Sequence, residues 1–234
     1  MATVISNELL ADGVYHLQVE SGQGGEMGQF YMLRAWDAYP LLSRPLSIHL
    51  ARPDRIEFLY HVVGEGTRMF AELKPGDKLQ LEGPFGTGFP HVEGRIALVG
   101  GGIGIAPLYY CAHELPDSDI YLGFSREAFR TDAFRELAAE LTVDVGGLIL
   151  DSVDFSEYDH IFVCGPHPML KAAQLKWIAA ETSGHRPNVY LSLENRMACG
   201  IGACLVCSVS CRDGQRKACA DGPVFLAEEV IFHD

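Results

Sequence analysis

The sequence predicts three units in series: an N-terminal antiparallel β-barrel, an α/β doubly wound parallel sheet, and a small C-terminal cysteine-rich domain. Three observations carry this expectation. From Ala2 to Gly83 the chain is a succession of short β-type runs broken by turns, which is the pattern of a small barrel. From Arg95 it changes to continuous apolar runs alternating with glycine turns and helical stretches, the pattern of parallel strands covered on both faces. The last quarter gathers Cys199, Cys204, Cys207, Cys211 and Cys219. The expected boundaries are residues 1–93, 94–194 and 195–234. With 234 residues, 48% of them hydrophobic and 21% charged, the chain can bury two modest cores and an appendage.

The expected barrel strands are Ala2 to Leu10, Val14 to Glu20, Gln29 to Ala35, Leu46 to Ala51, Ile56 to Val63 and Lys78 to Leu81. Pro53-Asp54 between two of them predicts a hairpin, because Pro presets φ and Asp bonds its own backbone. One helix is expected from Thr67 to about Leu73, stopped by Pro75 and Gly76.

Two motifs in this part go beyond scaffolding. In Arg44-Pro45-Leu46-Ser47 the Arg precedes a strand and the Ser lies within it, so a guanidinium and a hydroxyl can approach one phosphate or flavin from neighbouring positions. A solvated surface Arg is the plainer reading of that motif alone. Val63-Gly64-Glu65-Gly66-Thr67 opens the short helix, offering free N–H groups, a favourable dipole end and a hydroxyl to a pyrophosphate. The plainer reading is a strand-to-helix turn with Thr67 as N-cap.

In the second unit, Ile96 to Val99 is a buried strand running into Gly100-Gly101-Gly102-Ile103-Gly104-Ile105-Ala106-Pro107 and an apolar helix to Leu115. Glycines between a strand and a helix let a dinucleotide pyrophosphate approach the backbone. Cys111 lies within that helix and is expected to be packed. Further units follow: a strand Ile120 to Phe124, a helix Thr131 to Leu141, and strands Gly147 to Leu150 and His160 to Val163. The last strand enters Cys164-Gly165-Pro166-His167-Pro168-Met169 and a helix to about Glu181, placing a thiol at the carboxyl end of a strand, where such sheets bind ligands.

Composition excludes several partners. A formal net charge of −13 argues against nucleic acid or an anionic membrane surface, since those need clustered Lys and Arg. The longest apolar stretch, Ile96 to Ala112, is interrupted by Gly100, Gly101, Gly102, Gly104 and Pro107, so it reads as strand, turn and helix and not as a bilayer span. The N-terminus alternates like a strand, with no visible targeting segment, and a cytoplasmic location is expected.

The cysteines are the most specific signal. Four residues separate Cys199 from Cys204, two separate Cys204 from Cys207, and Cys219 follows after eleven more, the spacing of plant-type [2Fe-2S] ligands. Gly200 and Gly202 suit a backbone wrapped closely around a cluster, with N–H groups directed at sulfur. Zinc knuckles pair two short Cys units, and there is one here. Disulfides suit neither seven cysteines, an odd number, nor a chain without a visible signal peptide. Cys211 competes for the fourth position, and Cys219 is preferred because Ala220-Asp221-Gly222-Pro223 forms a turn able to return it to the loop.

In this order, Arg44-Pro45-Leu46-Ser47, Gly66-Thr67, the glycine turn and Cys164-Gly165-x-x-x-Met169 resemble the ferredoxin-NADP reductase superfamily. That resemblance implies FAD at Arg44, Pro45, Leu46, Ser47, Tyr60, His61, Gly66 and Thr67. It implies NAD at Gly100, Gly101, Gly102, Gly104, Ile105, Ala106, Pro107, Cys164, Gly165 and Met169. With Leu193-Glu-Asn-Arg-Met197, the cysteine loop and Lys217 to Phe225 added, the whole chain resembles the electron-transfer subunits of class B dihydroorotate dehydrogenases. Such a subunit is expected to hold a [2Fe-2S] cluster on Cys199, Cys204, Cys207 and Cys219. It is expected to pair with an FMN-containing dihydroorotate dehydrogenase catalytic subunit, two of each in a heterotetramer, and to pass electrons from that FMN through the cluster and FAD to NAD in pyrimidine biosynthesis. No residue of this chain is expected to act as an acid or base on the pyrimidine.

Two choices stay open at this level. Ser125-Arg126 and Arg130 follow the second strand of the α/β unit, where a basic group meets a 2′-phosphate, so NADP competes with NAD and the resemblance alone favours NAD. A reductase subunit of another flavin and iron-sulfur complex, of the ferredoxin-NADP transhydrogenase or hydrogenase-associated type, shares the architecture. A zinc-stabilised nucleotide-binding regulator is the alternative from another class.

Overall fold

The computed structural model describes residues 1–180 and 186–233. Strands β1 (Ala2–Ala11), β2 (Val14–Glu20), β3 (Phe30–Arg34), β4 (Arg44–Ala51), β5 (Arg55–His61) and β6 (Lys78–Phe85) close a barrel in the order β1-β2-β5-β4-β3-β6. Alternation sorts each strand between two faces. Leu17 and Val19 on β2 and Ile56, Phe58 and Tyr60 on β5 fill the barrel with Tyr31, Leu33 and Phe70. Residues of opposite parity, among them Val14 and Leu59, pack into the core of the α/β unit instead. Both faces of these strands are therefore buried, and the barrel cannot be separated from the rest without exposing apolar surface.

The second unit is a six-stranded sheet in the order β14-β11-β10-β7-β8-β9. Its strands are β7 (Ile96–Gly101), β8 (Asp119–Phe124), β9 (Leu141–Val145), β10 (His160–Cys164), β11 (Asn188–Ser192) and β14 (Val224–Leu226). All pairs are parallel except β11 with β14. The chain winds outward through β8 and β9, then returns to lay β10 on the other side of β7, so the strand order reverses between β7 and β10. Helix α2 (Ile105–Glu114) covers the face bearing Ile96, Leu98 and Phe162. Helix α4 (His167–Ala180) covers the face bearing Ala97, Val99, Ile161 and Val163. Hairpin β12 (Ser208–Cys211) with β13 (Gly214–Lys217) completes the cysteine-rich part.

Several elements differ from expectation. Arg44 is the first residue of β4 and does not precede it, because Leu33 on β3 pairs with it. Strand β6 runs on to Phe85 through its pairing with β3. Helix α1 spans Glu65–Ala71, with Gly64 as its N-cap in place of Thr67. Helix α3 is confined to Thr131–Arg135, and the run Leu141–Val145 is β9, since β-branched Thr142, Val143 and Val145 pair with β8. Gly147 to Leu150 is no strand: Gly146 takes φ +88° and the chain turns into a 3-10 helix at Ile149–Ser152. The expected end of α4 at residue 181 lies outside the described residues. Strands β11 to β14 were not anticipated.

Candidate functional site

A cleft of about 340 Å³ lies between the barrel and the α/β unit. Arg44, Pro45, Leu46 and Ser47 of β4, Tyr60 and His61 at the end of β5, and Thr67 form its barrel wall. Ile103, Ala106, Pro107 and Cys164 face them from the α/β unit. Ser192 through Asn195, Met197, Phe30 and Pro223 line the remainder.

The barrel wall is preorganised by packing. The Arg44 guanidinium lies 5.3 Å over the Trp36 ring, a cation–π contact that orients a flexible side chain. Gly66 makes room for this stack: a Cβ there would sit 2.7 Å from Arg44 Nε and 2.9 Å from Trp36 Cη2. Gly66 itself is behind Arg44 and does not line the cleft. The Thr67 hydroxyl accepts from the N–H groups of Val63 and Gly64, at 3.0 and 3.1 Å, and donates to the Gly64 carbonyl at 3.0 Å. It thus holds the helix start together. Tyr60 presents its ring while its hydroxyl donates to Asn7 Oδ1 at 3.1 Å, and burial raises the phenol above its ordinary range.

On the opposite wall the carboxyl ends of β7 and β10 meet, where doubly wound sheets bind ligands. Gly104 allows two turns to touch, since a Cβ there would lie 2.5 Å from the Cys164 carbonyl oxygen. Gly101 and Gly165 face Met169, and a Cβ on either would come within 2.5 or 2.7 Å of its sulfur. Met169 therefore packs across the switch point and does not line the cleft, and Ile105 is fully buried in the core. Gly100 and Gly101, expected in the turn, end β7 because they pair with β8 and β10, and Gly102 to Gly104 form the 3-10 turn that leads into Ile105 and Ala106, with Gly102 at φ +56°. Cys164 is buried at the cleft edge; burial and the nearby Glu194 carboxylate push its thiol up, and a hydrogen bond with Ser192 opposes them. Glu194 is an exposed residue on the cleft wall, yet desolvation raises its carboxyl above the usual range. Of the basic groups after β8, Arg126 is exposed, whereas Arg130 lies 5.2 Å over the Tyr109 ring and is turned toward α2. Cys111 is buried as expected, its thiol donating to the Pro107 carbonyl at 3.4 Å.

The cysteine loop follows directly from the cleft, two residues after Met197. Gly200 and Gly202 take φ of +73° and +79°. A Cβ on Gly200 would press on Met32 at 3.1 Å, so the loop lies flat on the barrel. The Gly202 N–H donates to Cys219 Sγ at 3.1 Å, and Cys207 Sγ lies 3.2 Å from Cys219 Sγ. The N–H groups of Ile201 and Cys204 pull the Cys199 thiol down to about 6, while burial pushes Cys219 up to about 12. Hairpin β12–β13 brings Cys219 back beside Cys207, through Ser208 opposite Lys217. Cys211 stands at the hairpin's far end, opposite Gly214, roughly 13 Å along the strand from Cys207 at 3.3 Å per residue. Among the described residues no three His, Cys, Asp or Glu side chains converge as a single-ion site requires. Three thiols on one loop with Cys219 returned beside them, and N–H groups aimed at sulfur, fit a cluster better than zinc.

Phe30, Leu193, Glu194, Asn195 and Met197 were absent from the expected site. Ser192 ends β11 beside the switch strand, and the carboxyl-end rule would have found it had β11 been recognised.

The family model for the iron-sulfur cluster binding domain of dihydroorotate dehydrogenase B matches residues 194–231. The chain is 41% identical over 242 residues to the dihydroorotate dehydrogenase B (NAD(+)) electron transfer subunit of Clostridium acetobutylicum, covering 99% of this chain and 96% of the relative. It is 40% identical to the protein of the same name from Caldanaerobacter subterraneus, covering 99% and 98%. Among solved structures, a chain of the NADH-dependent reduced ferredoxin-NADP oxidoreductase superposes with a TM-score of 0.88 at 28% identity, over 99% of this chain and 90% of that one. Phthalate dioxygenase reductase, at 17% identity and a TM-score of 0.62 over 90% and 86%, shares the fold.

Proposed function

The chain belongs to the family of electron transfer subunits of NAD(+)-dependent dihydroorotate dehydrogenase B, and from that premise we propose that it carries electrons from a dihydroorotate-oxidising partner to NAD. The observation that carries the reading is continuity. The segment Leu193 to Met197 lines the cleft and leads straight into Cys199, so the flavin-type site and the cysteine loop share one wall.

Arg44, stacked on Trp36, and Ser47 would hold FAD against the barrel, with the Glu65–Ala71 helix start and its Gly66 behind them. The glycine-rich end of β7 and the turn after it, Gly100 to Gly104, with Ala106, Pro107 and Cys164, would seat NAD on the other wall. Cys199, Cys204, Cys207 and Cys219 would hold the [2Fe-2S] cluster, because Cys219 and not Cys211 returns to Cys207. Nicotinamide takes a hydride, two electrons together, whereas such a cluster carries one at a time, and a flavin placed between them reconciles the two. This chain's residues bind, orient and exclude water; none is required to move a proton on the pyrimidine. Arg130 is engaged with Tyr109, which supports NAD over NADP.

The partner would be an FMN-containing dihydroorotate dehydrogenase subunit, two of each in the assembly, in the cytoplasm. Among the described residues no helix is long and apolar enough to cross a membrane. The test is to copurify the native complex without oxygen and assay NADH formation from dihydroorotate. A brown-yellow complex that makes NADH is expected. A partner without FMN, in a complex that ignores dihydroorotate, would redirect the reading to the ferredoxin-NADP oxidoreductase type, and a colourless zinc protein would end the redox reading altogether.

A further inference from the structure

Strand β4 carries the cleft wall at Arg44 to Ser47 and, two residues on, His49. Ile48 belongs to the barrel core, while His49 enters the seam with α2 and is fully buried there. Its Nδ1 lies 2.8 Å from the Ala106 carbonyl oxygen. A carbonyl only accepts, so Nδ1 carries a proton. Burial holds the imidazole neutral, well below its ordinary range at about 3, which places the single proton on Nδ1. Nε2 is then bare, and it has no protein partner.

Other contacts fix the ring's position and tilt. It stacks on Tyr109, with centroids 4.5 Å apart and planes 15° apart, and meets His16 edge-on at 5.6 Å. His16 is in turn held by Glu57 at 2.9 Å. An apolar residue would fill the same seam without burying a bare nitrogen, so packing alone does not explain a histidine here. A directional bond does, because apolar contact is non-directional and would let the two units slide. The bond's acceptor is the useful part: Ala106 and Pro107 line the cleft across from Ser47.

We propose that His49 is a positioning residue for hydride transfer, its Nδ1–H bond to Ala106 setting the gap between the β4 wall that holds flavin and the first turn of α2 that backs the nicotinamide. This rests on the function proposed above. The reaction moves one hydride between flavin and nicotinamide, and His49 gives or takes no proton in it. Such transfer needs reacting atoms about 3–3.5 Å apart, and a misplacement of about 1 Å costs on the order of 100-fold in rate.

Three variants of the full chain test this. His49→Asn places an amide NH₂ where Nδ1 stood, His49→Gln places one nearer the position of Nε2, and His49→Ala places none. The first readout is amide hydrogen exchange over residues 102–110 without NAD, expected to quicken about tenfold in the Ala and Gln variants and to stay as wild type in Asn. The second is stopped-flow reduction of the bound flavin by NADH, followed with the long-wavelength charge-transfer absorbance. Ala and Gln should lose that band and slow transfer by on the order of 100-fold with KM for NADH unchanged, while Asn retains both. Should His49→Ala fail to keep its flavin, the comparison of Asn with Gln decides. Asn and Gln behaving alike, or faster exchange with an unchanged transfer rate, would overturn the proposal. A wild-type chain whose flavin NADH does not reduce would overturn the functional reading instead, and the exchange experiment would still report on the clamp.

Discussion

Cys211 and Cys219 are both buried, but they sit at opposite ends of one hairpin, and only Cys219 lies beside Cys207, which supports the proposed choice of Cys219 as the fourth ligand. Cys219→Ser is expected to lower iron and labile sulfide sharply, whereas Cys211→Ser should keep both and cost only packing; iron analysis of the two purified variants checks this. Titration at the seam gives a second prediction. Burial holds His49 at about 3 against 6.5 for a free histidine, so between those values the unfolded chain binds more protons and stability falls as pH drops below 6.5. Burial alone would raise Glu57, but the hydrogen bonds from His16 and Arg55 outweigh it and hold the carboxyl down to about 2 from 4.5. Its stabilisation is complete above 4.5 and is lost as pH falls toward 2. Melting temperature against pH should therefore decline through two overlapping windows. His49→Asn removes the upper one and Glu57→Gln flattens the lower.

At the scale of elements, the cysteine-rich part is tied to the sheet by β14, where Phe225 opposes Leu191 and is almost fully buried. Phe225→Ala is expected to destabilise the chain by about 3–5 kcal/mol, and denaturant unfolding should show it. Gly104 ties the turn after β7 to the end of β10. A methyl there would meet the Cys164 carbonyl oxygen at 2.5 Å, backbone that cannot rotate away. Gly104→Ala should therefore push the two turns apart and weaken nucleotide binding more than it lowers stability, as titration of NAD against melting temperature would reveal.

For the molecule as a whole, the charge is −13, and apolar side chains nonetheless gather in the open at the cysteine loop, where Ile201, Leu205 and Val206 are 66%, 62% and 54% exposed. Exposed apolar side chains around a redox loop suit a protein partner better than solvent. Ile201→Glu is expected to weaken association with the catalytic subunit by about tenfold or more while leaving iron content unchanged. Sedimentation of the mixed subunits, read beside iron analysis, checks both halves.

The order of residues made legible whatever depends on local periodicity and spacing. The barrel strands from Val14 to His61, the glycine turn after β7 and the Cys199 to Cys207 loop could all be read this way, because alternation, φ requirements and ligand spacing are properties of neighbours. Residues that acquire their roles from distant contacts were not legible. The β-branched Thr142, Val143 and Val145 favour a strand, but only β8 beside them makes one, and nothing near Cys219 shows that it and not Cys211 lies beside Cys207 until the hairpin closes. His49 reads as an ordinary strand residue, and Glu194 as a surface charge before a loop. They gain their meaning only when two units, each with a buried face to cover, pack against one another and bring a carbonyl, a thiol and a cleft wall within reach.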